Sequence, residues 1–151
     1  MATHLQVGDK APNFSGTDQN GRKVSLKDYK GRKLVVYFYP ENDTPACTVQ
    51  ACNLRDNFSF LKSEGYEIVG ISPNDAESHK AFIAKFELPF PLIPDPKRKI
   101  IEQFGVWGEK NLYGRKYLGL IRTSFVIDES GKIIKIFRKP RTKSHAEEIV
   151  K

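Results

Sequence analysis

A chain of 151 residues, 39% hydrophobic and 28% charged, has the size and balance of one soluble domain with a sizeable core. No apolar stretch approaches membrane-spanning length, and Met1–Asp9 lacks the basic-then-apolar pattern of a secretory signal, so a cytoplasmic location is expected. The net charge of +7 gathers its excess at Lys132, Lys135, Arg138, Lys139, Arg141 and Lys143; without interleaved aromatics or a nucleic-acid motif, these read as a solvated or steering face.

The first thirty residues are turn-rich. Phe14 to Leu26 reads as a hairpin around the Asn20-Gly21 dipeptide. Leu34-Val-Val-Tyr-Phe-Tyr39 is a continuous apolar strand, expected to be buried on both faces. Thr44-Pro45 then opens a helix, with Thr as N-cap and Pro in the first position. That helix is predicted over Ala46 to Ser63, with an apolar face of Val49, Leu54, Phe58 and Leu61 and an end at Gly65. A strand follows over Glu67–Ser72, then a helix capped by Asp75 and running to Phe86. Four prolines between Pro89 and Pro96 punctuate an extended piece around Leu92-Ile93. A brief helix spans Lys97–Phe104, and Gly105–Ile121 reads as a loop. Strands Thr123–Asp128 and Lys132–Arg138, joined at Glu129-Ser-Gly131, close the sheet, and a final helix covers Lys143–Lys151. This order indicates an α/β fold, a central mixed sheet flanked by helices, with an N-terminal hairpin.

The chain has two cysteines, Cys47 and Cys52, five residues apart on the helix after the first long strand. A thiol at a helix N-terminus is favoured as its thiolate, the nucleophilic form. On an ideal helix residues five apart have Cα atoms roughly 8–9 Å apart and point about 140° away from each other. A disulfide needs less than about 7 Å, so the pair can bond only if the helix first unwinds. In a reducing compartment such a pair is more often catalytic or metal-binding than structural. His4, His79 and His145 are scattered, so a Cys–His pair requires the fold to bring one in. The favoured activating cation is Arg122. It begins a strand that, if antiparallel to Leu34–Tyr39, starts beside the end carrying Cys47. Arg55 is the main rival, and its distance along the helix suits a surface pair instead. Thr44 can cap the helix, act on a ligand, or both, since a hydroxyl donates and accepts. Pro40 can end the strand or form an apolar cover over the thiol.

Pro40-x3-Thr44-x2-Cys47 matches the active-site pattern of the peroxiredoxins. With Cys52 the sequence resembles their peroxiredoxin Q, or bacterioferritin-comigratory protein, branch. Val7–Phe14, Phe104–Lys110 and Arg122–Asp128 are similar to that branch too, so the likeness spans nearly the whole chain. The resemblance implies a single thioredoxin-like domain over residues 1–151 and a thiol-dependent peroxidase. By the resemblance Cys47 is peroxidatic and Cys52 resolving, Thr44 and Arg122 hold the peroxide, and Pro40 shields the site. It further implies hydrogen peroxide and organic hydroperoxides as substrates, a thioredoxin-type dithiol as reductant, a monomer, and no metal or other cofactor. Neither nucleic acid nor membrane is expected as a partner. One departure is visible: the family commonly has Gly before the peroxidatic cysteine, and here stands Ala46. Ala favours the helix, so a firmer helix start and slower unwinding are expected. Gln50 stands where some relatives carry an acid and is assigned no catalytic role.

Three other readings compete. A thioredoxin-like thiol–disulfide exchanger without peroxidase activity would share the fold, but the spacing is C-x4-C and not C-x2-C. A binding module for nucleic acid would rely on the basic end of the chain and show strongly salt-dependent affinity. A zinc site would need two ligands besides the cysteines, and the dispersed histidines do not supply a compact set.

Overall fold

The computed structural model describes residues 3–151; Met1 and Ala2, which open the stretch read for a signal, lie outside the described residues. The expected N-terminal hairpin forms from β1 (Ser15–Thr17) and β2 (Lys23–Ser25). Its turn is wider than an Asn-Gly pair alone would make. Asp18 organises it by accepting from the backbone N–H groups of Asn20 and Arg22 at 2.8 and 3.0 Å. A 3₁₀ turn at Leu26–Tyr29 leads into β3 (Lys33–Phe38).

The helix expected over Ala46–Ser63 is two helices, α1 (Pro45–Asp56) and α2 (Phe58–Ser63). The break falls at Asn57, which leaves the helical region at φ −107° and ψ 9°. Its side-chain amide donates to the Asn53 carbonyl at 2.9 Å, the local competition with backbone bonding that makes Asn a poor helix-interior residue. The chain continues through β4 (Tyr66–Ser72), α3 (Ala76–Phe86), β5 (Leu92–Pro94) and α4 (Lys99–Gln103). Asp75 caps α3 as expected, accepting from Ser78 N at 2.8 Å.

Gly105–Ile121 is not a loop. It holds a hairpin, β6 (Trp107–Leu112) and β7 (Arg115–Leu120), with Tyr113 and Gly114 at φ 52° and 80° in the turn. Most of its side chains are exposed, so no alternation of buried residues marks it in the sequence. Strands β8 (Thr123–Ile127) and β9 (Ile133–Phe137) follow, then a 3₁₀ turn at Thr142–Ser144 and α5 (His145–Val150).

The main sheet has the order β5-β4-β3-β8-β9. Strand β3 pairs parallel with β4 and antiparallel with β8, in the register Phe38↔Thr123 to Leu34↔Ile127. Because side chains alternate across a strand, β3 feeds two cores. Leu34, Val36 and Phe38 pack with Ile100, Ile101, Phe104 and the first hairpin. Val35, Tyr37 and Tyr39 pack with α1, α2, α3 and α5 through Cys47, Ala51, Leu54, Leu61, Phe82 and Ile149. The result is a three-layer sandwich of thioredoxin-like build with a mixed central sheet. Gly70 of β4 is required by close packing: a Cβ there would lie 2.6 Å from Leu92 and 2.9 Å from the Tyr37 ring.

Candidate active site

The end of β3 delivers the site. Tyr39 still bonds to the sheet, its N–H donating to Ile71 O at 3.2 Å, and Pro40 follows immediately. The chain then turns through Glu41, Asn42 and Asp43, with Asp43 in the left-handed region at φ 58°. Thr44 takes the extended N-cap conformation and Pro45 opens α1. The first helical bond runs from Thr48 N to Thr44 O at 2.8 Å. The N–H groups of Ala46 and Cys47 precede it, so they have no partner within the helix and face the site with the positive end of the helix dipole.

Cys47 is buried, 1% exposed, among Tyr37, Tyr39 and Ala51. Arg122, just ahead of β8, reaches it across the β3–β8 pairing: Nη2 donates to Sγ at 3.2 Å. The expected cation is therefore the one in contact with the sulfur. Arg55, the rival, donates to the Asp56 carboxylate and to the Phe86 carbonyl at the surface. Tyr37 and Tyr39 stack at a centroid distance of 5.3 Å beside the cysteine. Burial pushes both phenols far above their ordinary range, so they remain neutral.

Thr44 stands at the N-cap without side-chain capping; its hydroxyl donates to Glu41 O at 3.0 Å. Thr44 is thus the N-cap as expected, but through its backbone conformation and not through a side-chain bond. With its one proton committed to Glu41, the Thr44 oxygen keeps acceptor capacity for a further donor. Pro40 is half-buried between strand and loop. Cys52 is part-exposed on the same unbroken α1, and both cysteines are reduced.

One sequence reading of α1 is corrected: Val49, placed on the apolar face, is 38% exposed. Gln50, assigned no catalytic role, is fully buried. The Gln50 carboxamide oxygen accepts from Arg122 Nη1 at 2.6 Å, so Arg122 grips α1 at two points. A polar residue in the sequence gave no signal for this, because its partner is 72 residues away.

His79 and His145 are built into other networks. His145 lies between Ser124 Oγ at 2.8 Å and Glu148 Oε1 at 3.0 Å. Ser124 and His145 are both fully buried, so this array anchors α5 to the sheet and offers no nucleophile to a substrate. Burial lowers the His145 imidazole below its ordinary range, more than Glu148 raises it. Among the described residues no three His, Cys, Asp or Glu side chains are placed to hold a metal ion. Among those same residues no helix is long and apolar enough to cross a membrane.

A buried thiol at a helix start, in contact with an arginine and followed by a second thiol on the same helix, defines a cysteine-based redox enzyme on a thioredoxin-like sheet. Residues 7–136 match the AhpC/TSA family, and the chain belongs to that family. Within it the chain falls in the Bcp, or peroxiredoxin Q, branch, whose members are thiol peroxidases. It is 48% identical over 141 residues to peroxiredoxin Bcp of Escherichia coli, covering 93% of this chain and 90% of that one. It is 47% identical over 146 residues to a putative peroxiredoxin of Haemophilus influenzae, covering 97% and 94%. Among solved structures it is similar to peroxiredoxin Q of Xanthomonas campestris, with a TM-score of 0.86 and 29% identity over 98% of this chain and 94% of that one. A bacterioferritin-comigratory protein of the same organism, studied for its alkyl peroxide reduction, matches with a TM-score of 0.86 and 28% identity over 98% and 94%. The chain is therefore a thiol-dependent peroxidase of the peroxiredoxin class.

Proposed function

We propose that Cys47 is the peroxidatic residue and Cys52 the resolving one, in a monomeric cytoplasmic enzyme formed by residues 1–151 as one domain. The observation that carries this reading is the 3.2 Å contact between Arg122 and the Cys47 sulfur at the start of the helix that also carries Cys52. The reacting form is the thiolate. A hydroperoxide enters beside Pro40 with its O–H donating to Thr44, whose own proton is held by Glu41 O. Arg122 and the N–H groups of Ala46 and Cys47 donate to the oxygens as charge moves from sulfur onto the leaving oxygen.

Sulfur bonds to the terminal oxygen, the O–O bond breaks, and the leaving oxygen takes the proton that the thiol had released. The products are a sulfenic acid at Cys47 and water or an alcohol. Unwinding of the first turns of α1 then lets the Cys52 sulfur attack the sulfenic sulfur. The S–O bond breaks, water leaves, and an intrachain disulfide remains. A thioredoxin-type dithiol reduces it and is itself oxidised. Hydrogen peroxide and organic hydroperoxides are both taken as substrates, because the roles given to Thr44 and Arg122 engage the O–O group that the two share. The basic C-terminal residues support a reading without nucleic acid or membrane: Lys135 is engaged with the carbonyls of Ile149 and Lys151, and Arg138 with those of Thr3 and Leu5.

The test is mass spectrometry under non-reducing conditions after one equivalent of peroxide. The parent loses two hydrogens, mapped to a Cys47–Cys52 link. Cys47→Ser consumes no peroxide. Cys52→Ser oxidises once and stalls as sulfenic acid or joins another chain. Normal cycling of Cys52→Ser with thioredoxin would remove Cys52 from the resolving role.

A further inference from the structure

The loop Pro40–Thr44 is fastened to α3 and the end of β4 by a polar network that the reaction as described does not use. Asn42 is its hub. The backbone N–H of Asn42 donates to Asn74 Oδ1 at 2.9 Å. The side-chain oxygen of Asn42 accepts from the Tyr39 hydroxyl at 2.6 Å. The Asn42 amide nitrogen donates to Ser78 Oγ at 2.9 Å and faces His79 Nδ1 at 3.0 Å. One residue on, the strained Asp43 pairs with Lys85 of α3 at 2.7 Å. The receiving side is braced in turn: Ser72 Oγ donates to Asn74 Oδ1 at 3.0 Å.

His79 is fully buried in this network. Burial lowers its imidazole to about 4, and a hydrogen bond with the Ile93 backbone opposes the shift only in part. The ring is therefore neutral near neutral pH, and Nδ1 is able to accept from Asn42. Every hydrogen-bonding atom of the Asn42 side chain is thus matched, and none of its partners lies on α1.

Resting on the peroxidatic role assigned to Cys47, we infer that Asn42 is a positioning residue for the peroxide step. It presets Pro40 and Thr44 against the β4–α3 edge, independently of whether the first turns of α1 are wound. The physical reason is a division of labour between two elements. Disulfide formation requires the start of α1 to come apart. A loop held by α1 would lose its shape in each cycle and have to be rebuilt. A loop held by α3 keeps Thr44 and Pro40 near their working positions, so rewinding of α1 restores the site at once. A misplacement of about 1 Å at a reacting centre can cost on the order of a hundredfold in rate. Loss of a hub that fixes the loop at three side-chain contacts therefore has room to act strongly.

The experiment is rapid-quench mass spectrometry with hydrogen peroxide, resolving sulfenic acid formation at Cys47 from the later disulfide step. Asn42→Ala is expected to slow the first, second-order step at least tenfold, and to leave the second step equal or faster. Asn42→Asp keeps the acceptor for Tyr39 and should recover part of the rate. Ser78→Ala, on the part-exposed face of α3, removes one anchor and should slow the first step by a smaller factor. It also serves as the probe if Asn42→Ala does not fold. A loss of folded structure alone would not slow one step and spare the other. If Asn42→Ala and Ser78→Ala both react within twofold of the parent, or if only the disulfide step slows, the inference is overturned. Should the parent itself leave peroxide untouched, the assignment of Cys47 falls instead, and the two failures are told apart by that control.

Discussion

Arg122 offers the sharpest quantitative handle on the site. Its Nη2 lies 3.2 Å from the Cys47 sulfur and its Nη1 2.6 Å from Gln50 Oε1. At 3.2 Å a unit charge pair is worth about 5 kcal/mol for an effective dielectric of 20. Charge leaves sulfur for oxygen during the reaction, and the guanidinium follows it with a second N–H. Only the part of the interaction that grows on the way to the transition state accelerates the step. Removal of one such donor typically costs about 3–4 kcal/mol, or roughly 10²–10³ in rate. Arg122→Met is therefore expected to lower kcat/KM for hydrogen peroxide by two to three orders of magnitude. Arg122→Lys retains the charge but cannot engage Cys47 and Gln50 together, because an ammonium is a point donor and not a planar fork. A loss of about tenfold or somewhat more is expected there. The assay is the second-order rate of Cys47 oxidation by rapid quench, with circular dichroism to verify that each variant is folded. An Arg122→Met enzyme within threefold of the parent would refute the reasoning, since no other cation is bonded to the sulfur among the described residues.

Three further outcomes are expected. Ala46→Gly loosens the second position of α1, at a helix cost of about 1 kcal/mol, and should speed Cys47–Cys52 disulfide formation up to about fivefold in stopped-flow traces; an unchanged or slower rate would count against a firm helix start as the brake. His79 titrates at about 4 when folded against 6.5 when unfolded, so between these values the unfolded chain binds more protons. Stability from this group is whole above pH 6.5 and lost as pH falls towards 4, by about 3 kcal/mol at most. Urea unfolding at pH 7 and pH 4.5 should show a smaller drop for His79→Gln than for the parent. Gly70→Ala forces a methyl into Leu92 and the Tyr37 ring, and overpacking of this kind costs about 1–3 kcal/mol. Its melting temperature should fall by roughly 3–10 °C, and an unshifted value would mean that the β4–β5 edge gives way freely.

Local pattern made the strand–turn–helix around Cys47 readable from the chain alone. An apolar run from Leu34, a helix start at Thr44-Pro45 and two cysteines too far apart to bond are one-dimensional facts with direct physical meaning. Arg122 followed from topology, because antiparallel pairing of its strand with the first long strand sets its start beside the thiol, and β8 does pair that way with β3. Only tertiary structure decided the rest. The break at Asn57 depends on a side-chain bond that competes with the helix, and the exposed hairpin β6–β7 has no buried face to announce it. Burial of Gln50 in place of Val49 reverses what hydrophobicity suggests, because the Arg122 guanidinium, just ahead of a strand distant in sequence, supplies a partner on that side of α1. The Asn42–His79 network likewise joins residues 37 apart. Polar burial is favourable only where a partner waits, and where a partner waits is settled by the fold and not by the residue itself.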